Sequence, residues 1–369
     1  MHLLIFVLTI TILTAGEIYK SSYHNYTVEI VTKGLYYPWS IAFLPSGNIL
    51  ISEKKTPALR LINDGKLHPL PIAGIPQNID SSGQGGLLDV LVHPNFENNK
   101  TIFLSYSGAG LGGKGTEVIR ATLQDHQLVN IQKIFSMEPK TKGSLHYGSR
   151  LVFAPDGTLL ITLGDRYYHM KDAQNLENHL GKVVRINEDG TTPKNNPFFS
   201  HKKYKPEIYS YGHRNGQGLT LRKSDGTIWM HEHGPKGGDE VNILDEPGAN
   251  YGWPAITYGI DYSGAMISKY TSATGMKQPV TYWVPSIAPC GMSFYNADKF
   301  KNWKDDLFVG ALRGSHIRRL RLKGLKVVEQ EQLIQGYGRI RDISEGPDGL
   351  IYFITDSHDG ELARLIPIE

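Results

Sequence analysis

One local pattern recurs along the chain and constrains its fold more than any other feature. An apolar run, a turn and a second apolar run appear six times within 369 residues. In four copies the turn is short and contains a glycine, namely Gly47, Gly157, Gly226 or Gly349. The other two copies, at 88–106 and 292–310, have longer turns. Short Asp-Gly and Ser-Gly turns between β-branched and aromatic residues are typical of β-hairpins, so the pattern predicts a series of repeated hairpins.

The spacing of the hairpins indicates how they are assembled. They recur after roughly 50–75 residues, which leaves room for the four strands of one propeller blade. No stretch shows sustained helical periodicity, which disfavours a sheet with crossover helices. The sequence therefore predicts an all-β fold, a six-bladed β-propeller. Residues 26–31 alternate as a strand does, and we expect them to close the ring beside the strands that follow Asp342.

The N-terminal segment has the composition of an export signal. Leu3 to Leu13 are almost all apolar, and the small residues Thr14, Ala15 and Gly16 follow. The run is shorter than the ~20 residues of a membrane span and matches the core of a secretory signal. We predict a signal peptide at 1–16, a single propeller domain at 17–369, and a periplasmic or secreted protein without stable membrane insertion. Because no Lys or Arg precedes the run, a short buried strand or an uncleaved anchor are the alternatives.

Charge and cysteine content exclude several classes of function. The 39 Lys and Arg residues nearly balance the 36 Asp and Glu residues, so the net charge does not indicate a nucleic-acid partner. Cys290 is the one cysteine, which excludes an intramolecular disulfide and any site built from several thiolates. We expect a monomer or dimer that binds no nucleic acid.

Ligands of propellers lie over the axial channel, where the loops of all blades meet, so polar clusters in loops are the candidates for function. The glycine-rich run at 82–88 contains Gln84, which can both donate and accept hydrogen bonds. His146 precedes a repeat strand, and a neutral imidazole can accept a hydroxyl proton near pH 7. Arg214 and Asn215 lie between glycines and would suit recognition of carboxylates and carbonyls.

The segment 231–240 contains candidate metal ligands. Its two histidines, His231 and His233, lack a third imidazole nearby, which is weak evidence for zinc. The carbonyls of Gly234 and Pro235, with Glu240 close by, better suit an oxygen-ligated cation such as calcium. An aromatic turn that contains Tyr251 follows and could pack against such a site.

Late in the chain, arginines are concentrated. Arg339 and Arg341 are two residues apart, so in a strand they point to the same side. Such a pair forms either a solvated edge or an anion pocket. Together with Arg214 and Arg313, they could bind a small polyanion.

In this order, the clusters resemble one family, the soluble pyrroloquinoline-quinone (PQQ)-dependent aldose sugar dehydrogenases, which belong to the glucose/sorbosone dehydrogenases and are six-bladed propellers. The most specific segments are 83–88 (GQGGLL), 146–151 (HYGSRL), 212–218 (GHRNGQG) and 232–242 (EHGPKGGDEVN). The resemblance extends from about Pro38 to the end of the chain. Each segment alone is common, but the ordered set is specific.

The resemblance implies a role for each candidate residue. His146 would be the general base that takes the proton of the anomeric hydroxyl while the C1 hydride passes to the quinone, giving the lactone. Arg214 would stabilise charge on the reduced quinone oxygen. The residues implied to hold PQQ are Gln84, Arg214, Asn215, Arg313, Arg339 and Arg341.

Calcium has two implied positions. The carbonyls of Gly234 and Pro235 would bind the ion that polarises the quinone, and Glu240 and Tyr251 match a second, structural site. The implied partners are an aldose sugar and an electron acceptor that the sequence does not identify.

Some positions depart from the glucose-specific branch of the family. Leu145 stands where that branch has Asp, and Arg313 where it has Lys, which changes the geometry of the charge. The chain is also short for that branch, so the broad-specificity aldose branch is favoured. Two alternatives remain open: a calcium-dependent lactonase, whose metal would be held by side chains on the axis, and a non-catalytic binding propeller.

Overall fold

Residues 17–368 are described by a computed structural model of the chain, and they form six antiparallel sheets around a central axis. The signal peptide predicted at 1–16 lies outside the described residues. Within 17–368 the helical segments are α1 (Phe96–Asn99) and two 3₁₀ turns (Met170–Gln174 and Lys301–Trp303). None of these helices is long and apolar enough to cross a bilayer. The predicted all-β, six-bladed propeller is confirmed.

The strands follow the repeat order of the sequence. Two strands, β1 (Ile18–Lys20) and β2 (Asn25–Leu35), precede the first repeat. The strands of blades 1 to 3 are β3 (Pro38–Phe43), β4 (Ile49–Glu53), β5 (Ala58–Asn63), β6 (Lys66–Leu67), β7 (Leu87–Val92), β8 (Thr101–Gly110), β9 (Gly113–Gln124), β10 (Gln127–Ser136), β11 (Gly148–Phe153), β12 (Leu159–Leu163), β13 (Lys182–Ile186) and β14 (Ile208–Tyr211). The strands of blades 4 to 6 are β15 (Gly216–Leu221), β16 (Ile228–Glu232), β17 (Asp239–Ile243), β18 (Thr281–Trp283), β19 (Pro289–Phe294), β20 (Leu307–Ala311), β21 (His316–Lys323), β22 (Lys326–Leu333), β23 (Ile340–Glu345), β24 (Ile351–Thr355) and β25 (Gly360–Ile368).

The ring closes because an N-terminal strand joins the last blade. Strand β2 pairs antiparallel with β25, from Asn25 opposite Ile368 to Leu35 opposite Gly360. Strand β1 adds outside β2, so blade 6 has five strands where the other blades have four. The predicted closure by residues 26–31 is confirmed. The two ends of the chain thus hold each other within one sheet.

The hydrophobic core lies between the blades. Each of the six interfaces between neighbouring blades has its own cluster of buried apolar side chains. Between blades 1 and 2, for example, Leu50 and Leu59 belong to the same cluster as Ile102 and Leu104. Because alternate residues of a strand face opposite sides of the sheet, each blade presents an apolar face to both neighbours.

Strand direction determines where the functional loops gather. The first two strands of each blade are antiparallel, so the start of the first lies beside the end of the second, as Gly148 lies opposite Leu163. The first strands of neighbouring blades pack around the axis. In every blade, the residues just before the first strand and just after the second strand therefore lie at the same end of the axis. The short glycine turns, such as that of Gly157, lie at the opposite end.

Candidate active site

A cavity of about 290 Å³ opens at the end of the axis where these residues converge. Many of the residues that line it occupy equivalent positions in different blades. Four lining residues precede the first strand of a blade: Gln84, Asn215, Ala288 and Arg339. Four others directly follow the second strand of a blade: Lys54, His233, Leu312 and Asp356.

Apolar side chains form part of the cavity wall, and a buried arginine with two carboxylate partners lies next to them. Trp39, Leu88 and Tyr147 are buried against one another and line the cavity. The guanidinium carbon of Arg150 lies 4.1 Å from the centre of the Trp39 ring. Arg150 also bridges Asp89 at 3.3 Å and Asp342 at 3.0 Å, which joins blades 2, 3 and 6 on the axis. Arg150, the arginine of the 146–151 segment, therefore has a structural role and does not itself line the cavity.

His146 is held in a defined orientation by a carboxylate. Its Nδ1 lies 2.7 Å from Oδ1 of Asp165, and the second oxygen of Asp165 accepts a hydrogen bond of 2.8 Å from the indole of Trp253. When Nδ1–H donates to the carboxylate, Nε2 keeps its lone pair and can accept a proton. His146 is 5% exposed. It is therefore a base that is shielded from bulk water.

The surroundings of His146 favour its neutral form. Burial is the largest cause, followed by the positive charge of Arg214, and together they lower the pKa of His146 although the contact with Asp165 opposes them. Burial disfavours the ionised form of Asp165, but the hydrogen bond from His146, the neighbouring positive charges and the backbone N–H of Tyr167 together outweigh it. They hold the pKa of Asp165 below its usual value. The pair is thus a neutral imidazole beside an ionised carboxylate.

The side-chain amides of Gln84 and Asn215, both predicted site residues, hold the loop that carries His146. The Gln84 side-chain carbonyl accepts a hydrogen bond of 2.8 Å from the backbone N–H of His146. The Asn215 side-chain carbonyl accepts one of 3.0 Å from Gly148. Both amides also line the cavity. Three clusters that are separate in the sequence therefore meet at one place.

A cationic cluster occupies another side of the cavity. Lys54 and Arg341 bind Asp356 at 2.8 and 2.7 Å, and Arg339 approaches the same carboxylate at 3.3 Å. Three positive side chains thus share one negative one, and Nε of Arg341 is buried without a partner. Burial, followed by the charge of Arg341, lowers the pKa of Lys54 to about 8. The excess of positive charge suits an anionic ligand.

The other two predicted arginines lie apart from this cluster. Nη1 of Arg214 donates to the carbonyls of His233 and Gly234 at 3.0 and 2.8 Å, and its guanidinium lies 5.4 Å from the Trp253 ring. Arg214 therefore belongs to the side of the site that contains His146 and Asp165. Arg313 is exposed, and it is the preceding Leu312 that lines the cavity. The four arginines do not converge at one point in the structure.

Beside Arg214 lies a narrow crevice with two carboxylates, the buried Glu232 and the half-buried Glu240. Glu232 and Glu240 face each other across β16 and β17, and both line the crevice, whose volume is about 10 Å³. Burial, followed by the charge of Glu232, raises the pKa of Glu240 to about 8. Asn242 donates to both carboxylates, at 3.3 and 3.2 Å, while its own side-chain oxygen is buried without a partner. Two carboxylates and an unpaired amide oxygen suit a cation.

The remaining predicted metal ligands are close to this crevice. Gly234 and Tyr251 line it together with Glu240, and Pro235 is buried next in sequence to Gly234. The hydroxyl of Tyr251 donates to the carbonyl of Ile243 at 2.5 Å, so its side-chain oxygen is already engaged.

No zinc-type cluster is present in the part of the chain that the structure describes. It contains no group of three His, Cys, Asp or Glu side chains arranged to hold a metal. His231 and His233 each contact a backbone carbonyl instead, at 3.2 and 2.6 Å.

Sequence reasoning missed Asp165, Lys54 and Asp356. Each stands among other polar residues, in SEKKT (52–56), GDR (164–166) and TDSHD (355–359), so nothing local distinguishes it. Lys54 is also 302 positions away from its partner Asp356. They share one signal, because Lys54 and Asp356 directly follow the second strand of a blade and Asp165 follows at two residues. In a propeller that position faces the axial cavity, so a polar residue there is a candidate even in isolation.

Known proteins match this chain over most of its length. The family model "Glucose / Sorbosone dehydrogenase" matches residues 35–364. The aldose sugar dehydrogenase YliI of Escherichia coli is 41% identical over 346 residues, which cover 92% of each protein.

Solved structures agree with the sequence matches. A crystal structure of glucose dehydrogenase is 43% identical, with a TM-score of 0.89, and the match covers 93% of this chain and 100% of that one. The PQQ-bound aldose sugar dehydrogenase of Streptomyces coelicolor is 25% identical, with a TM-score of 0.74, and the match covers 92% of this chain and 98% of that one. The chain belongs to the glucose/sorbosone dehydrogenase family.

Proposed function

We propose that the protein is a PQQ- and calcium-dependent aldose sugar dehydrogenase that oxidises its substrate at C1 to the lactone. The observation that carries the proposal is the pairing of His146 with Asp165 beside a cationic cavity. A neutral, oriented imidazole serves proton abstraction, and the cationic cluster serves an anionic cofactor. The family and its PQQ-bound relative support the same conclusion.

The cavity fits PQQ, a flat tricarboxylate. Lys54, Arg339 and Arg341 outnumber the one carboxylate of Asp356 and would hold the carboxylates. Trp39 and Tyr147 line the cavity and would pack against the ring system. When bound, PQQ supplies a hydride acceptor, and calcium polarises its reactive carbonyl.

In this proposal His146 removes the proton of the anomeric hydroxyl through Nε2. Asp165 fixes the tautomer and balances the imidazolium charge once the proton has arrived. Arg214, which is buried beside the pair, would stabilise negative charge that develops on the cofactor. Gln84 and Asn215 keep the loop of His146 in place.

Calcium is assigned to the region of Gly234, Pro235, Glu240 and Tyr251. Glu240 lies opposite the buried Glu232, and like charges placed so are unfavourable without a cation between or beside them. The unpaired oxygen of Asn242 adds a further acceptor. Gly234 and Pro235 would contribute carbonyl oxygens, and Tyr251 its backbone carbonyl, because its hydroxyl is engaged.

The proposal also covers the cellular location, the substrate range and the electron acceptor. The protein would act in the periplasm or outside the cell on a broad range of aldoses and pass electrons to a separate acceptor. Arg313, exposed at the rim beside Leu312, would contact the cofactor or an incoming anion from outside the cavity.

Reconstitution tests the proposal. Apo protein is incubated with calcium and PQQ, and then with glucose and an artificial redox dye. We expect dye reduction that requires both PQQ and the sugar, with gluconolactone as product. If calorimetry detects no PQQ binding, the proposal is wrong. Hydrolysis of a lactone without added quinone would instead support the lactonase alternative, which gives no role to the cationic cluster.

A further inference from the structure

Arg166 is a buried cation that the proposed reaction does not use. It follows Asp165, in the loop after β12, and is 0% exposed. Its guanidinium carbon lies 3.6 Å from the centre of the Tyr147 ring. Within residues 17–368 it forms no ion pair with a carboxylate, and its Nε has no hydrogen-bond partner. A buried charge without a counter-ion is unfavourable, so its presence beside the site requires a reason.

The side-chain hydrogen bonds of Arg166 all reach one loop, residues 143–146. Nη2 donates to the carbonyl of Gly143 at 2.8 Å. Nη1 donates to the carbonyls of Leu145 and His146, the latter at 3.3 Å. The rigid fork of a guanidinium can hold several acceptors in one fixed arrangement. Arg166 therefore fixes the backbone of 143–146, the segment that carries the proposed base.

The backbone on both sides of this contact is constrained. His146, Arg166 and Tyr167 have φ values of 51°, 56° and 68°, in a region that non-glycine residues occupy only where their surroundings fix them. At Gly164, a Cβ atom would lie 2.2 Å from the carbonyl oxygen of His146. The segment that follows β12 thus packs directly against the loop of His146, and the hydrogen bonds of Arg166 connect the two.

We propose that Arg166 is a positioning residue for His146: it holds the loop 143–146 so that the imidazole stays paired with Asp165. This inference rests on the proposed function of His146 as the base. Asp165 orients the ring, whereas Arg166 orients the backbone beneath it. The other charged or titratable groups around His146 are Asp165, Arg214, Tyr167 and His233.

Two substitutions separate the contributions of Arg166. Arg166→Met removes both charge and donors, and Arg166→Lys keeps the charge but loses the fork. Arg185→Met is the matched control, because Arg185 is a buried arginine of the same blade, 5.8 Å from the Tyr209 ring, and its Nε also lacks a partner. With PQQ and calcium bound, we expect kcat to fall at least about tenfold in both Arg166 variants, since a misplacement of ~1 Å can cost ~100-fold. The KM for glucose and the Kd for PQQ should stay within about twofold, and Arg185→Met should keep the wild-type kcat.

NMR of the apo protein gives a reading that does not depend on turnover. The ¹⁵N shifts of the His146 ring, assigned by comparison with His146→Ala, report its tautomer and its pKa. Because the positive charge of Arg166 is among the causes that lower this pKa, we expect it to rise in Arg166→Met and to change less in Arg166→Lys. Arg185→Met should leave it unchanged.

The outcomes distinguish this inference from the proposed function. Folded Arg166 variants with wild-type kcat and an unchanged His146 spectrum would overturn the positioning role. If Arg166→Met does not fold, the same two readings on Arg166→Lys decide, and a wild-type kcat there would equally overturn it. A wild-type protein that binds no PQQ would remove the proposed function, whereas the NMR comparison would still show whether Arg166 positions His146.

Discussion

Nδ1 of His146 and Oδ1 of Asp165 are 2.7 Å apart, although the two residues lie outside the hairpin of β11 and β12, one before its first strand and one after its second. His146 precedes β11 and Asp165 follows β12. The antiparallel pairing of the two strands places both residues at the same end of the axis. The same geometry places the other cavity residues, so the repeat that builds the fold also builds the site.

Asp165→Asn should impair catalysis without affecting cofactor binding. An amide in place of the carboxylate removes the negative charge that balances the imidazolium and can stabilise the wrong tautomer. We expect kcat to fall about 100-fold or more, by analogy with other His–carboxylate pairs, and the Kd for PQQ to change little. Steady-state kinetics and calorimetry measure the two quantities. The control is Asp172→Asn, which alters the more exposed His169–Asp172 pair; an equal loss in both variants would contradict the role of Asp165.

The pKa of His146 should lie below 6.5 in the apo protein, because burial and the charge of Arg214 outweigh the effect of Asp165. His146 would then be neutral, and able to act as a base, throughout the neutral pH range. Protonation as the pH falls through this pKa removes the base, so kcat of the PQQ-saturated enzyme should fall on the acid side. An NMR titration of the His146 ring measures the value directly. A pKa above 6.5 would show that Asp165 dominates and that the electrostatic argument is wrong.

Lys54→Met should weaken PQQ binding. Lys54 is a cation of the cluster around Asp356, and its pKa is lowered to about 8. A bound anion stabilises the charged lysine, so wild-type affinity should be greatest below pH 8 and decrease as the pH rises through that value. The variant should bind at least about tenfold more weakly at pH 7, in line with about 1.4 kcal/mol for a charge-assisted contact. Its affinity should also vary less between pH 7 and 9.

Fluorescence titrations at several pH values test this prediction. Lys33→Met, at an exposed position of β2, provides the control. Equal affinities for the Lys54 and Lys33 variants would exclude Lys54 from the cofactor site.

Calcium should stabilise the protein through Glu240. A ligand at about 100 times its Kd stabilises the folded state by about 2.7 kcal/mol, which raises Tm. We expect EDTA to lower the Tm of the wild-type protein and to have a much smaller effect on Glu240→Gln. Glu246→Gln, an exposed glutamate of the same blade, should behave like the wild type. A Tm of the wild type that does not respond to calcium or EDTA would argue against the site.

The sequence predicted much of the fold because the determinants were local. Glycine turns and apolar runs identified the repeats, and the alternation at 26–31 identified the closing strand. The loops of Gln84, His146 and Asn215 could also be predicted, since each is rich in glycine and polar residues. These signals lie within a few neighbouring residues.

The rest of the site depends on contacts between distant parts of the chain. Asp356 meets Lys54 only because β2 closes the ring and brings blade 6 beside blade 1. The role of Arg166 could not be predicted from the sequence, because its side chain donates hydrogen bonds to backbone carbonyls, which any residue could provide. Arg313 was grouped with the other arginines by its charge, although its side chain is exposed at the rim.

The central claim is that His146 is the base of a PQQ-dependent sugar oxidation. The most direct measurement compares wild type and His146→Ala after each has been saturated with PQQ and calcium, following reduction of the bound cofactor by glucose in a single turnover. The account predicts that both proteins bind one PQQ with similar affinity and that the variant reduces it at least about 100-fold more slowly, as expected for loss of a general base. Equal rates of reduction in the two proteins would contradict the account.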